Sequence, residues 1–357
     1  MQDNDKTIFK YLDPAENDVI SKFNNNDIDE IFYYLNRYYL EYRKILDIDK
    51  DITFGIEIEM EHFKGKVDDF WPFQLGLNKV VGNDNWEVRN DITLNWGREI
   101  VSPILIDNIN TWDEIRKVCN LAYKYGEIDV NSSSHVHVGS QIFGNNTLYW
   151  YRFFRLWSIY ENIIYRFSYG EYLYHRPGIN KYSKCSANFL GKVLEDEKIL
   201  EMDLYKILFF MKKCLGREES LKNYSISLWH MLCDNDYNLY DDYNSVTKYC
   251  TAEYRCANGT LDEIIWQNYI NFIIKMMLYC KSDRYDYDIL NRRKGINREM
   301  FDKLDEYSKI YLEQAIEFSD MIFDNNLDKI YFLRQYIKSF EVSDSFIKTR
   351  KFTTTNR

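Results

Sequence analysis

Three short stretches place chemistry-bearing residues two positions apart: Glu57 and Glu59, His135 and His137, and Glu253 and Arg255. In an extended strand such pairs point to one face, roughly 6–7 Å apart. Each pair alone fits a solvated strand face. A solvated face, however, usually mixes Lys, Thr and Ser with its acids, whereas these positions are nearly all metal-ligand types. Carboxylates crowded on one face repel each other, and a bound divalent cation is the usual compensation. Glu99, in the run Arg98-Glu-Ile-Val-Ser-Pro103, is a fourth candidate, uninformative by itself. Two His on one strand face could simply hydrogen-bond a loop. Beside the acids, a metal or phosphate role is the better reading.

Local patterning supplies the elements that must hold these residues. Phe54, Ile56, Ile58 and Met60 alternate with Gly55, Glu57, Glu59 and Glu61, which predicts a strand with one apolar and one acidic face. Alternation returns at 134–140, 223–230 and 249–256, and short strands are expected at 85–90 and 98–102. Three-four spacing predicts helices at 27–46, 111–125, 146–168, 195–215, from Asp262 to about Cys280, and at about 298–324 and 327–341. Gly126 sits where a left-handed C-cap would end the helix at 111–125. Strands scattered among unequal helices suggest an α+β fold with an antiparallel sheet rather than regular βαβ units. Residues 62–85 and 170–222 read as loops and insertions suited to forming substrate pockets.

Composition narrows the function classes. The 357 residues fit two domains, or one large core with decorations. With 22 Phe, 8 Trp and 31 Tyr the chain carries far more buriable surface than a disordered one. A net charge of −10 argues against a dedicated nucleic-acid or anionic-membrane binder. Seven Cys without a Cys-x-x-Cys pair read as reduced thiols of a cytoplasmic protein. The polar, acidic N-terminus does not read as a signal peptide. The most apolar stretch, Ile270 to Cys280, is broken by Asn271 and Lys275, so no membrane span is expected.

Four motifs in order carry a family resemblance: Phe54-Gly-Ile-Glu-Ile-Glu59, Glu99-Ile-Val-Ser-Pro103, Ser134-His-Val-His-Val-Gly139, and Glu253-Tyr-Arg255 followed by Asn258-Gly-Thr-Leu-Asp262. Each is weak alone. Together they resemble the amidoligases, carboxylate–amine ligases related to glutamine synthetase and glutamate–cysteine ligase, over about residues 51–285. Two weaker matches are Trp86 to Leu94, ending Asp91-Ile-Thr-Leu94, and Arg176-Pro-Gly-Ile-Asn-Lys-Tyr182-Ser-Lys184. One departure is Ser227, where the family usually places Asn.

The resemblance implies a glutamine-synthetase-like curved antiparallel sheet whose concave face holds ATP and Mg²⁺, or Mn²⁺ in its place. Glu57, Glu59, Glu99, His135 and Glu253 would hold the metals. Arg255 would clamp phosphate, His137 would sit near the nucleotide or metal, and Arg176 and Lys184 would belong to a basic segment that binds the cofactor, turned to phosphate or substrate. Residues 1–50 and 286–357 would be helical extensions, capping the core or building a homo-oligomer interface, and 145–222 a helical insertion. The implied reaction joins a small-molecule or peptide carboxylate to an amine through an acyl phosphate. Asp91 and Glu61 are candidates for the proton acceptor, although Glu61 is expected to point to solvent at the strand end. A metal-dependent hydrolase and a non-catalytic nucleotide-binding scaffold are the rival readings. The intact acidic, His and Arg set argues against the scaffold, and the small number of remaining His residues argues against the hydrolase.

Overall fold

The computed structural model describes residues 35, 40–64, 70–170, 172, 175–194, 197–215, 220–231, 250–293 and 309–337. Among these, six strands pair into one antiparallel sheet: β1 (Phe54–Met60), β2 (Glu87–Arg89), β3 (Arg98–Val101), β4 (Ser133–Gly139), β5 (Ile226–Ser227) and β6 (Thr251–Asn258). Their spatial order is β2-β3-β1-β4-β6-β5, which puts the strands bearing the paired motifs at the centre. The described helices are α1 (Trp71–Val81), α2 (Ile109–Tyr125), α3 (Thr147–Ser168), α4 (Ile179–Tyr182), α5 (Ala187–Leu194), α6 (Leu204–Leu215), α7 (Glu263–Lys281), α8 (Tyr287–Arg293), α9 (Lys309–Ile322) and α10 (Asn326–Ile337).

The apolar face of the sheet makes the core. Phe54, Ile56, Ile58 and Met60 are buried with Val136, Val138, Ala252 and Tyr254. Aromatic rings from α3 and α7 close over them: Tyr254 meets Trp157 at 6.1 Å, Tyr269 at 5.8 Å and Phe272 at 5.8 Å. Phe332 of α10 stacks on Phe167 at 4.6 Å, which joins the C-terminal helices to the same core. Because side chains alternate along a strand, burying this face fixes the register and sends Glu57, Glu59, His135, His137 and Glu253 to the other.

Helix ends follow local chemistry. Asn108 and Asn146 accept from Thr111 N and Tyr149 N at the starts of α2 and α3, and Asp262 accepts from Ile264 N at the start of α7. Gly126 follows α2 as expected, but it is extended (φ −147°, ψ −176°) rather than left-handed. Its need for glycine comes from space: a Cβ there would lie 2.8 Å from Met60 Sδ.

Other expectations shift. Most of the helix predicted at 27–46 lies outside the described residues; Leu35 is helical, whereas 40–46 is not. The helix predicted at 195–215 is a short 3₁₀ turn and then α6, because Asp203 caps a new start by accepting from Lys206 N at 2.8 Å. Residues 195–196, 298–308 and 338–341 of the predicted helices are also outside the described set. Of the alternation at 223–230, only Ile226–Ser227 pairs as a strand. The stretch 62–85, read among the loops and insertions, contains the unpredicted α1, whereas α4 to α6 within 170–222 are helical, as expected of the insertion. Tyr160, Tyr165, Tyr169 and Tyr172 are all buried.

Candidate active site

Register assembles the polar face. Glu57 lies opposite His135 across β1–β4, Glu59 opposite Glu99 across β1–β3, and His137 opposite Glu253 across β4–β6. One irregularity matters: Ser134 pairs with Ala257 while Val136 pairs with Tyr254, so β6 carries an extra residue opposite His135. This bulge lies at Arg255, whose N–H leaves the β4 ladder and donates to Ser225 O at 2.9 Å.

The resulting cluster is tightly wired. His135 Nδ1–H donates to Glu57 Oε2 at 2.8 Å, and its Nε2 lies 2.8 Å from Ser133 Oγ. Glu59 is buried and accepts from Ser133 N at 2.7 Å. Glu253 is fully buried; its Oε1 accepts from Arg255 Nη1, while its Oε2 has no hydrogen bond among the described residues. His137 Nε2 is 3.1 Å from Glu57 Oε1 and 3.9 Å from Glu253 Oε1, yet it is hydrogen-bonded to neither.

These placements perturb the charges. Burial pushes Glu99 up, the carboxylates of Glu57, Glu59 and Asp91 add to the push, and it reaches about 8. Burial works in the same direction on Glu57 and Glu253, but their partners win. His135 and His137 hold Glu57 well below the usual carboxylate range, and Arg255 and His137 do so for Glu253. Burial disfavours the charged form of His137, but Glu253 and Glu57 raise it overall.

Among the described residues, three groups of three side chains offer ligand atoms within 4.8 Å of one another: Glu59, Asp91 and Glu99; Glu57, Glu99 and His135; and His137, His230 and Glu253. The donor sets fit divalent cations, the first being all oxygen as Mg²⁺ prefers. The unbonded, buried Glu253 Oε2 and the protonated Glu99 are groups a cation would satisfy.

A pH consequence follows for the metal-free protein. Glu99 binds a proton up to about pH 8 when folded, but only up to its ordinary range near 4.5 when unfolded. The folded state therefore holds more protons across that window, and this group's contribution to stability falls as pH rises through it. Mg²⁺ must displace the proton. We expect Mg²⁺ titrations at pH 7, in buffers of different ionisation enthalpy, to release about one proton per chain from this group, and much less at pH 9. Equal release at both pH values would contradict the placement of Glu99.

The remaining candidates fall around this centre. Asp91 joins the oxygen cluster and is fixed by Thr93, whose N and Oγ1 both donate to its Oδ1 at 2.7 Å. Glu61 does not point to solvent: it is fully buried and accepts from Asn95 N, Asn131 N and Asn131 Nδ2 at 2.8, 3.1 and 3.0 Å. It pins the loops flanking the site. Arg176 is buried behind β6, with its guanidinium donating to the carbonyls of Ala257 and Arg255. The backbone of Lys184 bonds Asn223 O and Ser225 N, beside the strand that carries Ser227. Ser227 lies opposite Glu253. His62 pairs with Asp129 at 2.6 Å and His175 packs on Tyr169, so neither joins the metal-ligand groups.

His230 does join, and sequence reasoning missed it. It lies in a turn just after β5, separated from Glu253 by a long stretch of chain, so no spacing rule connects the two. A cavity of about 220 Å3 opens at the Gly55 end of the same face, lined by Gly55, Glu57, Val101, Ser102, His137 and Thr251. A larger cavity of about 590 Å3 lies among α7, α8 and α9; its Arg293 is bound to Glu317 at 2.9 Å, and no metal-ligand group among the described residues lines it. No described helix is long and apolar enough to cross a membrane.

A search of curated proteins gives no match. Residues 78–277 match the family described as putative amidoligase enzyme, a span that holds Asp91, Glu99, both His of β4, Arg176, Lys184, Glu253 and Arg255 and begins after Glu57 and Glu59. With more than half of its length matched, the chain belongs to the putative amidoligase family.

Proposed function

We propose that the protein is an ATP-dependent carboxylate–amine ligase that activates its acid as an acyl phosphate. A carboxylate does not condense with an amine at neutral pH, because oxide or hydroxide is too poor a leaving group. Phosphorylation replaces it with inorganic phosphate. The protein's task is then to hold two anions together and to stabilise charge on the transferring phosphoryl group. The observation that carries this reading is the convergence of carboxylates, imidazoles and Arg255 on one sheet face, with Glu253 Oε2 left unbonded in a buried position.

In this reading the face is the concave side of a glutamine-synthetase-like sheet. Glu57, Glu59, Glu99, His135 and Glu253 hold Mg²⁺ or Mn²⁺, which would neutralise phosphate charge as a Lewis acid. Arg255 orients the phosphoryl oxygens. Arg176 supports it through the carbonyl contact, and Lys184 stands on the neighbouring segment. The cavity at Gly55 and His137 receives the nucleoside, since Glu57 and His137 are its only ionisable lining groups besides Cys250. Asp91 either completes the oxygen cluster or takes the proton of the amine. The acid and amine are small molecules or peptides, and the cytoplasm supplies the ATP.

Tight ATP binding should need the metal, because the acidic face otherwise repels a triphosphate. Calorimetry should show ATP affinity with Mg²⁺ and a large loss in excess EDTA; equal affinity in both would overturn the metal-bridged site. The entry of His230 into the cluster is the one observation that favours a metal-dependent hydrolase. Mass spectrometry of products formed in host extract separates the two: a ligase consumes ATP for each bond it makes, and a hydrolase needs none.

A further inference from the structure

We infer that His137, His230 and Glu253 form a nitrogen-rich cation site that takes a late first-row dication such as Zn²⁺ in preference to Mg²⁺. The three offer ligand atoms within 4.8 Å of one another, apart from the all-oxygen group of Glu59, Asp91 and Glu99 at the other end of the face. His230 Nε2 stands 3.5 Å from Glu253 Oε2, and the His137 and His230 rings meet edge to face at 5.1 Å.

Two further observations point to a ligand there. Glu253 is fully buried, and the oxygen it turns to His230 has no hydrogen bond among the described residues. His137 is also oriented for ligation. Its Nδ1 lies 3.1 Å from Thr251 Oγ1, a hydroxyl that can accept from that nitrogen and orient the ring, and its buried Nε2 is turned to Glu57 and Glu253. This is the outer-shell hydrogen bond that ligating imidazoles usually make. Two imidazole nitrogens and one carboxylate favour zinc, cobalt or nickel, whereas carboxylate and water suit Mg²⁺. The His230 side chain is 42% exposed, which gives an ion a way in.

The inference shares Glu253 with the ligase reading, but its test needs neither nucleotide nor turnover. Full-length protein would be titrated calorimetrically with Zn²⁺ alone and with Mg²⁺ alone, as wild type and as His230→Ala. We expect Zn²⁺ to bind the wild type more tightly than Mg²⁺. The substitution should weaken Zn²⁺ by about tenfold or more, since even outer-shell partners are worth that much. Mg²⁺ affinity should move by less than about twofold, because its oxygen ligands remain. His230 is half-exposed, so thermal melting without metal should match between the two proteins. Unchanged Zn²⁺ affinity in the variant, or an equal loss for both ions, would overturn the site. Retained Zn²⁺ selectivity with no ATP-dependent product would remove the ligase reading and leave this inference standing.

Discussion

Glu57→Ala is expected to reduce ATP-dependent turnover by at least about a hundredfold while the chain stays folded. Glu57 sits at the middle of the face, hydrogen-bonded to His135 and 3.1 Å from His137 Nε2. It belongs to one ligand group and is a charge that raises Glu99. Losing a ligand that stabilises transferring charge costs several kcal/mol of barrier, with each 1.36 kcal/mol worth about tenfold. The fold should tolerate the change, because the core lies on the opposite face and one of the crowded carboxylates is gone. Glu59→Ala should behave similarly, with the added loss of the Ser133 N contact. ADP release and circular dichroism read the two properties separately. Near-normal turnover, or unfolding, would make the face structural.

Glu253 is the exception within this set. The crowding argument from sequence treats its removal as relief of repulsion, but the structure surrounds it with Arg255, His137 and His230. Glu253→Ala would strand a buried guanidinium, a change that typically costs about 3–5 kcal/mol. It therefore tests stability together with chemistry, and Glu57 is the cleaner probe.

The same contrast shows what the sequence makes legible. Period-two alternation identifies β1, β4 and β6 and the face of each pair, because burying one side of a strand determines the other. It cannot reveal the order of strands, which is what sets Glu57 against His135 and His137 against Glu253. His230 was invisible for that reason: only the β5–β6 pairing brings its turn to Glu253. Glu61 continues the acidic alternation but is drawn inward by three donors from two loops. The helix α1 had signals that were passed over. Pro72 sits in its first turn, Phe73, Leu77 and Val81 repeat every four residues on the buried side, and Gly82 takes a left-handed C-cap at φ 82°.

Arg255→Lys should lower the catalytic rate by roughly a hundredfold, the scale of losing one preorganised donor, with a much smaller change in ATP affinity. The plain alternative is that Arg255 merely pairs with Glu253 or another surface acid, worth under about 1 kcal/mol in an exposed site. The structure keeps the pair and removes the exposure: Arg255 is buried, its Nη1 bonds Glu253, and its Nε has no partner among the described residues. The backbone on either side is held by Ser225 and Arg176. A Lys at this position keeps the charge beside Glu253, so the ion pair and the fold should survive. What it loses is the planar fork that can bond Glu253 with one arm and a phosphoryl oxygen with another. Steady-state kinetics with an accepted substrate pair would separate the two roles. A Lys variant with the wild-type rate would reduce Arg255 to a counter-ion for Glu253, and the charge on the transferring group would then have to be met by the metals alone.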